Sequence, residues 1–177
     1  MIRGDETAHA ARLRAMMDDH FETVWRSLRR LGVPESGADD SAQQVFVVAS
    51  RRLAEIQVGG ERGYLLGIAL RVASDARRSL RRRREVPLEP ETATSSPLAS
   101  PRQPDEALEQ KRALEVLAAL LDEMPDELRE AFVLFELEEL NAPQVAHLLN
   151  IPVGTVASRV RRARERLRES LAMRGAS

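Results

Sequence analysis

The chain reads as all-α: two small helical domains joined by a Pro/Ser-rich linker. Three observations carry that reading. Apolar residues recur at steps of three and four along most of the chain, the spacing of one helix face. No segment sustains an alternation of apolar and polar residues, so no sheet is expected. Five of the nine prolines fall within Val86–Asp105 and split the helical pattern in two. Composition agrees. Of 177 residues, 43% are apolar, 31% charged and 3% aromatic. Such a chain builds its cores from Leu, Val, Ala and Met and coats its helices with charge. No internal repeat is visible.

The N-terminal domain is expected over residues 10–85. Leu13, Met17, Phe21, Val24, Leu28 and Leu31 make the apolar stripe of a first helix, which Gly32 and Pro34 stop. Trp25 lies near that stripe and is read as core. Ala42, Val45, Phe46, Ala49 and Leu53 give a second stripe, ended by Gly59 and Gly60. Leu65, Ile68, Val72, Ala76 and Leu80 define a third helix that runs into Arg81–Arg84. Residues 86–107 then read as linker, their prolines interspersed with Thr92, Thr94, Ser95, Ser96 and Ser100. A flexible chain of that length spans about 25 Å. The C-terminal domain covers residues 108–172. Leu108, Leu114, Leu117 and Leu121 mark a fourth helix; Pro125 fits the start of a fifth, with Leu128, Phe132, Phe135 and Leu137 on its stripe.

Residues 141–171 carry the most specific pattern. Asn141 can cap a short helix, and Gln144, three residues on, completes a capping box. Val145, Leu148 and Leu149 supply that helix's buried face. Asn150, Ile151 and Pro152 make a tight turn, and a second helix starts near Val153. Its inward stripe is Val156, Val160, Ala163 and Leu167; its outward face carries Thr155, Ser158, Arg159, Arg161, Arg162 and Arg166. A short helix, a tight turn and an Arg-rich helix form a helix-turn-helix, whose second helix enters the DNA major groove. Arg159 and Arg162 suit guanine edges or phosphates, and Thr155 and Ser158 are short enough for close approach.

The net charge of −1 conceals strong segmentation. Residues 63–86 carry +5 and residues 141–177 carry +5, whereas residues 87–140 carry −10. Two basic blocks are what a polyanionic partner requires. The acidic middle is read first as solvated helix faces; keeping the C-terminal domain off non-specific DNA and serving a partner stay open. The chain has no cysteine, which excludes disulfides, thiolate metal sites and a cysteine nucleophile. His9, His20 and His147 fall in no metal-ligand spacing, and no cofactor is expected. No residue set suggests catalysis, so the chain is not read as an enzyme and no small-molecule substrate is expected. Without a long apolar run or a signal-peptide core, it is expected to be cytoplasmic and not membrane-inserted.

The segment from Glu136 to Arg168 closely resembles region 4 of the sigma-70 family, specifically its extracytoplasmic function (ECF) group. Pro152 to Arg164, P-V-G-T-V-A-S-R-V-R-R-A-R, is the most specific part of the match. Asp39-Asp40-Ser41-Ala42-Gln43-Gln44-Val45-Phe46 is similar to the E-D-L-V-Q-E-V-F of region 2 in that family, with Gln44 in place of an acidic residue. Tyr64 to Asp75 resembles its W-L-x-x-I-A-R-N-x-A-x-D, with Tyr64 at the Trp position and Leu70-Arg71 at Arg-Asn. Ala157 stands where Lys is common.

The resemblance implies a sigma factor that joins core RNA polymerase and directs promoter-specific initiation. Asp39, Asp40, Gln43, Gln44 and Phe46 would face the β′ clamp helices, and the C-terminal domain would meet the β flap. Tyr64, Arg71, Asp75, Arg77, Arg78 and Arg81 would read and help melt the −10 element; the C-terminal helix would read the −35 element. The loop Gly59–Gly63 is a candidate for capturing an unpaired base. An anti-sigma factor is the further implied partner. Two alternatives remain: a helix-turn-helix regulator that acts without polymerase, and a degenerate sigma that only titrates an anti-sigma factor.

Overall fold

A computed structural model describes the backbone of residues 2–85 and 104–175, and side chains over 7–83 and 113–174. The described residues are helical, without strands. They fall into two compact units, residues 1–91 and 92–177. Most of the expected linker, 86–103, lies outside the described residues.

The first unit is a three-helix bundle of α1 (Ile2–Arg30), α2 (Glu35–Ser50) and α3 (Glu61–Glu85), each packed on the other two. Its core is aliphatic: Val24, Leu28 and Leu31 of α1 and its end meet Val45 and Ala49 of α2 and Leu65, Leu66, Ala69 and Ala73 of α3. α1 starts ahead of the expected residue 10, at Ile2. Gly32, at φ 92°, ends α1 in a Schellman motif. The Val33 N–H reaches the Leu28 carbonyl and the Gly32 N–H reaches that of Arg29, both at 3.0 Å. Leu53, expected on the α2 stripe, is buried but belongs to a short 3₁₀ turn, Leu53–Glu55, that follows α2.

The second unit contains α4 (Pro104–Asp122), α5 (Asp126–Phe132), α6 (Ala142–Leu149) and α7 (Val153–Gly175). α4 starts inside the interval read as linker. Pro104 occupies the first helical position, where the missing N–H costs nothing. Leu114, expected on the apolar stripe, is exposed. α5 runs on as a π-helical turn, Val133–Leu137, where the Glu138 N–H bonds the Val133 carbonyl at 2.9 Å. That wider turn shifts the register. Val133 and Leu134 become the buried pair, and Phe135 and Leu137 are only half-buried. α5 and α6 both pack on α7 around Leu128, Phe132, Val145, Val156, Val160 and Ala163.

Candidate nucleic-acid interface

The helix-turn-helix is built by local chemistry. Gln144 N–H donates to Asn141 Oδ1 and Asn141 N–H donates to Gln144 Oε1, both at 2.9 Å, a complete capping box. Asn150 closes α6 in the left-handed conformation, φ 53° and ψ 50°, which Asn tolerates better than most residues. The Ile151 N–H then reaches back to the Ala146 carbonyl at 3.0 Å. Val156, Val160 and Ala163 pin α7 to the core and thereby fix which side of it faces out.

That outer side carries the expected residues in unequal states. Ser158 is exposed and its hydroxyl donates to the Thr155 carbonyl at 2.9 Å; Thr155 is half-buried. Arg161 pairs along the helix with Glu165 at 3.0 Å. Arg162 and Arg166 are exposed and have no side-chain partner among the described residues. Arg159 differs: its side chain is 23% exposed and its Nη2 lies 3.5 Å from Glu127 Oε2 on α5. Arg164 is tied by Nε and Nη2 to Glu136, and Arg174 to Glu123 at 2.5 Å.

On α3 the residues expected to meet DNA differ in exposure. Arg71, Asp75, Arg78 and Arg81 are exposed and Tyr64 is half-buried. Asp75 and Arg78 pair at 2.6 Å, so this stretch offers less free positive charge than its composition suggests. Arg77 departs from expectation. It is 7% exposed, and its Nη1 donates to the Leu31 carbonyl at the end of α1. Its position places it on the bundle side of α3, where it satisfies an orphan helix-end carbonyl instead of facing DNA.

The expected polymerase-facing residues also divide. Asp39, Asp40, Gln43 and Gln44 are exposed on α2. Phe46 is 3% exposed and stacks on Phe21 with ring centroids 6.0 Å apart, so it is a core residue. Its spacing from Ala42 and Ala49 puts it on the buried stripe. Val47, which sequence reasoning missed, is 51% exposed and shares a face with Asp40, Gln43 and Gln44 at helical steps of three and four. Trp25 is half-buried and not core; its indole N–H donates to Asp39 Oδ1 at 3.0 Å.

The connection from α2 to α3 is held from α1. Arg12 donates to the carbonyls of Leu53 at 2.9 Å and Ile56 at 2.5 Å, and approaches Glu61 at 3.7 Å. The Glu61 carboxylate is held below its usual range, first by its own backbone N–H. Partial burial opposes this; the Gly59 N–H, Arg12 and His20 add to it. Among the described residues no group of His, Asp and Glu could hold a metal ion, and no helix is long and apolar enough to cross a membrane.

A three-helix bundle and a helix-turn-helix whose second helix bears arginines are the architecture expected of a DNA-binding regulator. Comparison with known proteins makes the class specific. The family model described as sigma-70, region 4 matches residues 114–167. The ferric citrate uptake sigma factor FecI of Escherichia coli is 32% identical over 130 residues, covering 72% of either chain. The ECF sigma factor SigE of Mycolicibacterium smegmatis is 31% identical over 159 residues; the match covers 89% of this chain and 60% of that relative. In fold, the chain is similar to the sigma factor RpoE of Bartonella quintana, solved with the anti-sigma factor NepR. The TM-score is 0.67 at 20% identity, covering 90% of this chain and 96% of that one. The chain belongs to the sigma-70 family, in its extracytoplasmic function group. Members of this group are DNA-binding regulators of initiation.

Proposed function

We propose that this chain joins core RNA polymerase and supplies it with promoter specificity. Residues 10–85 would act as region 2, binding the polymerase and the −10 element; 86–107 would be the linker; 108–172 would act as region 4 at the −35 element. The polymerase performs the chemistry and this chain supplies addressing and strand opening, so it is not itself a catalyst. It would work in the cytoplasm and be held by an anti-sigma factor, as RpoE is held by NepR in the solved complex. The observation that carries the reading is the α7 face: Arg162 and Arg166, without a side-chain partner among the described residues, beside Ser158 on a helix fixed by a capped turn. On α2, the polymerase contact would rest on Asp40, Gln43, Gln44 and Val47, with Asp39 held by Trp25. On α3, the −10 contacts would fall to Tyr64, Arg71, Arg78 and Arg81.

The test is transcription in vitro from core polymerase, this chain and a promoter library. Specific transcripts are expected. Replacing Arg162 and Arg166 by Ala should abolish them while leaving polymerase binding intact, since a good contact from Arg162 to a base edge is worth about 1–3 kcal/mol and Arg166 adds a phosphate contact. Absence of polymerase binding would replace this reading with that of a regulator acting on duplex DNA alone. Polymerase binding with no transcript from any library member would favour an anti-sigma titrant.

A further inference from the structure

The acidic segment that precedes the helix-turn-helix does more than coat helices. Three of its carboxylates reach across to arginines of α7: Glu123 to Arg174, Glu127 to Arg159 and Glu136 to Arg164. Two of these pairs, Glu123–Arg174 and Glu136–Arg164, involve arginines toward the C-terminal half of α7, away from the end that enters a groove. The Glu127–Arg159 pair is different. Arg159 is the seventh residue of α7, on the part of a recognition helix that meets DNA, and among the described residues it is the one expected DNA contact there that another element holds. Glu127 itself is 60% exposed, and the contact the structure gives its carboxylate is the one to Arg159.

The geometry points to Glu127 as an electrostatic brake on sequence-independent DNA binding, acting through Arg159. An arginine at 3.5 Å from a carboxylate offers a phosphate little net charge. Each phosphate it would otherwise neutralise releases counterions and tightens binding to DNA of any sequence. With Arg159 held, sequence-independent attraction falls to Arg162 and Arg166. Base reading falls to Thr155, Ser158 and Arg162, which Glu127 does not touch. Glu127 is therefore a positioning residue: it acts on DNA only through the arginine it holds. The inference rests on the proposed role of α7 at the promoter.

The experiment uses holoenzyme assembled from core polymerase and the full chain. Two duplexes serve as probes, one selected by the wild type from a randomised library and one scrambled version of it. Glu127→Gln should tighten binding to both by a similar factor, about three- to tenfold at low salt, and the gain should shrink as salt rises. The plot of log affinity against log salt should steepen by about 0.9, the value of one added phosphate contact. Glu127→Asp should keep most of the wild-type behaviour. In an Arg159→Ala background, Glu127→Gln should change neither affinity nor slope. Thermal unfolding of each variant checks that the fold is intact. Weaker binding by Glu127→Gln, an unchanged salt slope, or the same gain without Arg159 would each overturn the brake. If the wild-type holoenzyme selects no duplex from the library, the promoter role of α7 fails, and the brake with it.

Discussion

Arg77 and Arg78 are adjacent in a basic run, and the fold gives them opposite tasks. Arg78 is exposed and pairs with Asp75; Arg77 turns inward to the Leu31 carbonyl. Arg77→Ala removes the donor from a buried carbonyl and should cost about 2–3 kcal/mol, read by denaturant unfolding. A variant of full stability with weakened DNA binding would return Arg77 to the DNA face. Glu61 carries a pH signature. Because its folded pKa lies below the ordinary 4.5, ionisation favours the folded state. The stability gap between wild type and Glu61→Gln should be fully present above about pH 4.5, and should vanish as pH falls through the lower folded value. A gap that persists in acid would show that the carboxylate contributes through packing and not through charge.

Among elements, α6 shows how a short segment is made to fold. Eight residues form no stable helix in water by themselves. The capping box at its start, the left-handed Asn150 at its end and the burial of Val145 and Ala146 supply what length does not. Asn141→Ala should cost about 1 kcal/mol and speed amide exchange in α6 before α7. The Asn141 box was legible because capping is a matter of residue type and spacing over four positions. The π turn at Val133–Leu137 was not, because it depends on which carbonyl the Glu138 N–H finds once α5 has docked. Periodicity assumes a uniform turn, so it places Phe135 and Leu137 on a stripe that Val133 and Leu134 occupy.

At the scale of the whole molecule, each unit has its own aliphatic core. Leu28 is fully buried among α1–α3, and Leu134 is fully buried in the second unit. Truncating either to Ala should cost about 2–5 kcal/mol. Hydrogen exchange should then rise in α1–α3 for Leu28→Ala and in α5–α7 for Leu134→Ala, each leaving the other unit's protection in place. Loss of protection in both units from one truncation would show a shared folding unit.

Helical periodicity, the proline cluster and a capped turn before an Arg-rich helix were enough to determine an all-α chain and its helix-turn-helix. Those are properties of residue type and local spacing, which act before any tertiary contact forms. The family resemblance rested on the same local strings. What only tertiary structure decided was the direction and state of individual side chains. Phe46 went to the core, Val47 to the surface, Arg77 to a helix end and Trp25 to Asp39. Glu127, an unremarked carboxylate in an acidic run, came to hold the arginine 32 positions further on. Long charged side chains can reach several partners from one backbone position, and only the packing of α5 against α7 selects among them.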